Sequence, residues 1–223
     1  MRPNSPDFPS DVVETALADL EADEKELIAI AGEMLQAYGG AVYGFDFLAN
    51  AAVNRALALS SGFRTMIREQ NLICAGALLR LQLDTALRFF AGFIVDKPHD
   101  FAVEVLGGKQ INRMKDREGK RMTDRYLVSQ MAEQYPWVER VYELASGYVH
   151  MSETHILSTL ESIDLDSGIV GIKISSHDRP LPDDVYIDAI RTFRQCSRIL
   201  ALHLEGWVFT KNNPEKAALL KEM

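Results

Sequence analysis

The chain has 223 residues, 47% of them hydrophobic, and a formal net charge of −8. That length suits one large domain with a sizeable core, and the acidic balance excludes broad, non-specific nucleic-acid binding, which needs a basic footprint. The two cysteines, Cys74 and Cys196, show neither a CxxC nor a Cys/His metal spacing, and they read as reduced, buried thiols of a cytoplasmic protein.

Residues 1–9 hold three prolines and read as a loose tail without the apolar core of a signal peptide. Ser10 is placed to cap a helix running to about Tyr38, ended by Gly39 and Gly40. Residues 11–26 carry seven acidic side chains and one lysine, the pattern of a solvated helix face. A second helix is expected over 42–70, kinked near Ser60, Ser61 and Gly62. The stretch 71–95 is apolar on almost every side of a helix, as a buried central helix is. Its longest uncharged run, 70–79, has ten residues, against the roughly 18 of a membrane span. Asp96, Lys97 and Pro98 stop it.

A short helix is expected over 99–110, closed by Gly107 and Gly108. Residues 109–125 then bring seven basic and three acidic side chains. They read as a mobile helical loop or as a phosphate-facing patch using Lys109, Arg113, Lys120 and Arg121. No aromatic residue is interleaved before Tyr126, so base stacking lacks a platform. Helices are expected over 123–134 and from Trp137, behind Pro136, to about His150. Alternation over 156–165 and 169–175, around Asp166, Ser167 and Gly168, predicts a β-hairpin. Residues 180–184 open a last helix to about Phe209, and 211–223 form a short terminal helix or a tail. The expected fold is mainly α: a single helical bundle over 10–210 with one β-hairpin in its C-terminal half, at about 156–175.

Two constellations stand out. Arg80, Asp84 and Arg88 interrupt the apolar helix at four-residue steps and therefore share one face. Charges there are costly unless paired. The line either fixes packing or holds an arginine, oriented by Asp84, toward a phosphate or carboxylate. Tyr142, Ser146 and His150 form a second line. His150, at a helix C-terminus, is of the residue type that suits acid–base work; it equally suits a capping or hydrogen-bonding role. Ser146 lacks a GxSxG elbow, and a mid-helix serine bonds back to its own backbone. His155 follows too far on for a metal pair, so no metal or cofactor is expected, and no glycine-rich nucleotide loop is present. A third group, Asn54, Arg55 and Asn71, faces either the same interior line or solvent.

A long apolar helix with Arg-x-x-x-Asp (Arg80, Asp84), a helix ending Tyr-x-x-x-Ser-x-x-x-His-x-Ser (Tyr142, Ser146, His150, Ser152) and a closing helix together resemble the HEPN-like helical proteins. The resemblance is to the uncharacterised abortive-infection-type branches of bacteria, over roughly residues 40–205. It implies a helical bundle that commonly dimerises. Many such proteins are metal-independent ribonucleases of toxin–antitoxin and phage-defence systems; others are inactive binding or scaffold domains. The catalytic branch carries an arginine followed by four to six residues and then its histidine. Here nine residues separate the nearest, Arg140, from His150, so the arginine has to come from the central helix, as Arg80 or Arg88.

The leading expectation is a non-catalytic partner-binding or dimerisation module of a bacterial stress or phage-defence system, forming a homodimer or meeting an RNA or protein partner, with no membrane. One alternative is a metal-independent ribonuclease in which His150 is the acid or base, Arg80 stabilises phosphate charge and Asp84 orients Arg80. A small-anion sensor with a closed pocket beside Arg80 is the other.

Overall fold

In a computed structural model of the chain, residues 8–179 and 181–215 are described. Helix α1, Asp11–Gln36, begins where the Ser10 hydroxyl accepts the N–H of Val13 at 3.4 Å. Its buried stripe is Val13, Leu17, Leu20, Leu27, Ile30 and Met34, the spacing of one helix face. It stops short of Tyr38 because Tyr38 (φ 53°) and Gly39 (φ 69°) take left-handed backbone within the 3-10 turn Ala37–Gly40. Helix α2, Gly44–Arg68, runs unbroken through Ser60, Ser61 and Gly62. Where a kink was expected, Ser60 donates its hydroxyl to Glu24 at 2.5 Å.

The acidic face of α1 is not simply solvated. Glu14 meets Arg68 at 2.9 Å, Glu24 and Glu21 meet Arg64, Asp23 and Asp19 meet Arg194, and Glu26 meets Arg198 at 2.7 Å. The Arg68 hydrogen bond holds the Glu14 carboxyl below its ordinary pKa. The run therefore fastens α1 to α2 on one flank and to the last helix on the other.

Helix α3, Leu72–Phe90, is the expected central element, capped by the Asn71 side chain, which accepts the N–H of Cys74 at 3.0 Å. It packs against α2, α6 (Trp137–Val149) and α8 (Asp183–Asn212). Its N-terminal half enters a cluster around Phe63, Tyr186 and Phe193, its C-terminal half one around Phe45, Phe89 and Trp207. Cys196 is buried, but Cys74 is exposed, since the first turn of α3 has one side uncovered. A 3-10 turn, Ala91–Phe93, ends the segment before α4, Pro98–Leu106.

Residues 109–125 are not helical throughout. They form a 3-10 turn, Ile111–Arg113, and a loop closed by an antiparallel bridge between Lys115 and Arg121. Asp116 organises the loop, accepting the N–H groups of Glu118 at 3.0 Å and Lys120 at 2.8 Å and the hydroxyl of Tyr126. Arg117 donates to the carbonyls of Phe93 and Ile94, tying the loop to the end of α3. Helix α5, Asp124–Ala132, follows the Thr123 cap.

The hairpin is shorter than its alternation suggested. Residues 156–159 belong to helix α7, Glu153–Thr159, because Ser152 and His155 cap its first turn reciprocally. Strands β1, Leu160–Asp164, and β2, Ile169–Ile172, pair antiparallel, Asp164 opposite Ile169 and Leu160 opposite Ile172. Gly168 (φ 68°) makes the turn, and Asp164 accepts the N–H groups of Asp166 and Ser167. The fold is thus mainly α, with eight α-helices and one two-stranded hairpin among the described residues. No helix among them is long and apolar enough to cross a membrane. Residues 1–7 of the expected tail, residue 180 at the opening of α8 and residues 216–223 lie outside the described residues.

Candidate functional site

The arginine line on α3 closes on itself. Asp84 receives Arg88 Nε at 3.3 Å and Arg80 Nη1 at 3.9 Å on one oxygen, and Arg55 Nη2 from α2 at 4.0 Å on the other. Arg55 also donates Nε to Thr85 Oγ1 at 3.0 Å. A second carboxylate, Asp124, comes from the first turn of α5, where the helix N-terminus favours its charge. It takes Arg80 Nη2 at 3.6 Å and Arg88 Nη2 through a direct hydrogen bond. The guanidinium of Arg80 lies over the Tyr142 ring of α6, 4.1 Å from its centroid, a cation–π contact that suits a group only 9% exposed. Arg88 Nη1 is buried without a protein partner.

Helices α3 and α6 run antiparallel at close range. Gly76 permits this, since a Cβ there would sit 2.4 Å from the Tyr148 ring. Arg80, one turn further along α3, meets Tyr142, one and a half turns back along α6. His150 therefore projects past the Gly76 end of the pair, while Arg88 lies eight residues beyond Arg80, about 12 Å along the axis in the other direction. His150 caps α6 through its own N–H, bonded to the Ser146 carbonyl at 3.2 Å, and is exposed. The Ser146 hydroxyl donates to the Tyr142 carbonyl at 2.6 Å. Of the expected site residues, Arg80, Asp84, Arg88 and Tyr142 converge; His150 and Ser146 do not join them.

In the basic loop, Lys109 pairs with Glu104 and Lys120 with Glu118 at 2.8 Å. Arg113 and Arg121 are exposed and have no carboxylate partner among the described residues. Asn54 is exposed; Arg55 is the member of its group that reaches the interior line.

Asp124 is the residue that sequence reasoning passed over. Its signal was present, an acidic residue directly after a Thr cap, but it was counted only as part of a basic run. A second buried pair was also missed. Asp46 accepts Trp207 Nε1–H at 2.7 Å, Tyr43 N–H at 2.8 Å and Lys211 Nζ at 3.0 Å, and Lys211 also donates to the Met34 carbonyl at 2.8 Å. Both charged side chains are fully buried. Beside them lies a cavity of about 650 Å³ walled by Tyr38, Tyr43, Phe93, His99 and Trp207.

The Cys196 thiol, pushed up to about 12 by burial although the Arg80 charge opposes this, is no nucleophile. Among the described residues no three His, Cys, Asp or Glu side chains converge as metal ligands. Comparison with protein-family models, with curated proteins and with solved structures gave no significant match.

Proposed function

We propose that the chain is a HEPN-like helical module that works without catalysis, as a partner-binding or dimerisation protein of a bacterial stress or phage-defence system. One observation carries this reading: Asp84 and Asp124 already pair with Arg80 and Arg88 of the central helix, and the unpartnered Arg88 Nη1 is buried. An arginine that is to stabilise a reacting phosphate must present free N–H groups to it. Arg80 instead meets two carboxylates and an aromatic face. His150, the candidate acid or base, stands away from that cluster and not within hydrogen-bond reach of a shared substrate atom, as a general base has to be. An anion sensor would need a pocket beside Arg80, and that side chain is instead covered by Asp84, Asp124 and the Tyr142 ring.

The positive side of the proposal is the apolar surface running from the end of α6 through α7 to the hairpin. Met151, Ile156, Leu165, Ile169, Ile172 and Ile174 are each 60% or more exposed. So many large apolar side chains exposed within one stretch of chain point to an interaction surface.

The test is incubation of the purified protein with mixed-sequence RNA in chelator, across mildly acidic to mildly alkaline pH. The RNA is expected to remain intact. Cleavage that disappears in His150→Ala would overturn the non-catalytic reading in favour of a metal-independent ribonuclease.

A further inference from the structure

The cavity of about 650 Å³ beside the buried Asp46–Lys211 pair has no part in the proposed function. Its size falls within the about 300–1,000 Å³ of small-molecule sites, and such sites are walled by apolar and aromatic side chains with a few polar groups. Here the walls include the rings of Tyr38, Tyr43, Phe93, His99 and Trp207. These rings hold one another in place. His99 stacks on Tyr43 at 5.1 Å and meets Trp207 edge-on at 5.5 Å, and its Nδ1 accepts the Phe45 N–H at 3.5 Å. Trp207 is anchored in turn by Asp46.

Tyr38 reaches the cavity on unusual backbone. Its φ of 53° and ψ of 46° are left-handed, a conformation uncommon for any residue but glycine. Asn212 holds it there by accepting the Tyr38 N–H at 2.9 Å. The side chain is nevertheless 53% exposed and stands 6.4 Å from the Tyr43 ring. An exposed ring repays little of such strain by burial, and strain of this kind is found at ligand clamps.

The charged groups around the cavity divide into spent and unspent. Asp46 already takes three donors, and the Lys211 side chain is sealed at 0% exposure behind them. Lys97 pairs with Asp100 at 3.8 Å. Two lining groups remain. Arg117 donates Nε to the Ile94 carbonyl at 3.1 Å and Nη2 to the Phe93 carbonyl, which fixes its guanidinium and leaves Nη1 without a partner among the described residues. Asp96 is exposed, and its carboxylate has no hydrogen-bond or ion-pair partner among them either. Asp96 follows Ile94 by two residues, a backbone span of at most about 7 Å. A fixed cation and a free anion therefore stand close together on one rim without pairing.

We infer that this cavity binds a free aromatic α-amino acid, its ring among Tyr38, Tyr43 and Trp207, its carboxylate on Arg117 Nη1 and its ammonium on Asp96. The ligand class follows from the unspent groups. An uncharged ring would use neither rim charge, and an aromatic acid or amine would use one. The zwitterion uses both, each through a charge-assisted hydrogen bond, and its ring takes the stacked or edge-on contacts that aromatic walls offer.

Isothermal titration of the full chain with L-tryptophan at neutral pH tests it. Saturable binding with a dissociation constant below about 1 mM is expected. L-Leucine lacks the ring, L-tryptophan amide the carboxylate and N-acetyl-L-tryptophan the ammonium; each is expected to bind about tenfold more weakly or worse. Tyr38→Asn removes a wall but suits left-handed backbone. It is expected to weaken L-tryptophan binding about tenfold while the unfolding midpoint of the free chain does not fall. Arg117→Gln is expected to erase the preference for L-tryptophan over its amide, and Asp96→Asn the preference over the N-acetyl form; these ratios would not move if the two side chains served the fold alone. Absence of L-tryptophan binding to the wild type at about 1 mM overturns the site. L-Leucine binding as tightly as L-tryptophan overturns the aromatic ligand, and preferences that survive both rim substitutions overturn the roles of Arg117 and Asp96.

Discussion

Asp46→Ala is expected to lower the stability of the chain by about 3–5 kcal/mol, the cost of leaving a buried partner charge uncompensated. Lys211, at 0% side-chain exposure, would retain the Met34 carbonyl and the Tyr43 ring face but no counter-charge, and Trp207 Nε1–H and the Tyr43 N–H would lose their acceptor. Three elements are held at this point: the start of α2, the end of α1 and the last turn of α8. Asp46→Asn keeps an acceptor for Trp207 yet still strands the ammonium, so most of the loss is expected to remain. Replacing the pair together, Asp46→Leu with Lys211→Met, removes both charges and should recover part of it. Urea unfolding followed by circular dichroism reads the change as a lower midpoint at constant slope. With typical domains holding about 5–15 kcal/mol in total, the single variant is expected to unfold within the first part of the titration.

Asp84→Ala is expected to cost about 3 kcal/mol, the lower end of the range for breaking a buried pair. Its side chain is 22% exposed, and solvent takes up some of the released charge. Arg80 and Arg88 would then share Asp124 alone, and Arg55 would keep only its hydrogen bond to Thr85. Arg80→Ala is expected to cost less than Asp84→Ala, because Asp84 keeps Arg88 at 3.3 Å and Arg55 at 4.0 Å. Comparing the two variants by urea unfolding checks the order. A catalytic or ligand-binding cluster predicts the opposite tendency, since removing a charge held for function commonly raises stability.

Much of the backbone was legible because it depends on local chemistry. Ser10 precedes α1 and caps it as read, and four-residue spacing put Arg80, Asp84 and Arg88 on one face, where Asp84 does reach both arginines. What was not legible is which distant residue completes each cluster. Asp124 lies 36 residues from Arg88 and Asp46 lies 165 from Lys211, and no periodicity connects such pairs. The acidic run of α1 read as a solvated face because its arginines sit on α2 and α8, out of any local window. Around Ile156 and Leu157 the pattern suits either a strand or a helix turn, and the Ser152–His155 cap decides for the helix. His150 shares a face with Tyr142 and Ser146 as its spacing required. The antiparallel overlap of α3 and α6 nevertheless carries it past Arg80, and only tertiary placement reveals that.

In the proposed reading the arginine line clamps helices together instead of forming an open site. A double-mutant cycle on Arg88 and Asp124, which join α3 to α5, tests it most directly, with Arg88→Ala, Asp124→Ala and the double variant compared by urea unfolding. A coupling of about 1–3 kcal/mol is the predicted result. A coupling indistinguishable from zero, with both single variants as stable as the wild type, would contradict the clamp.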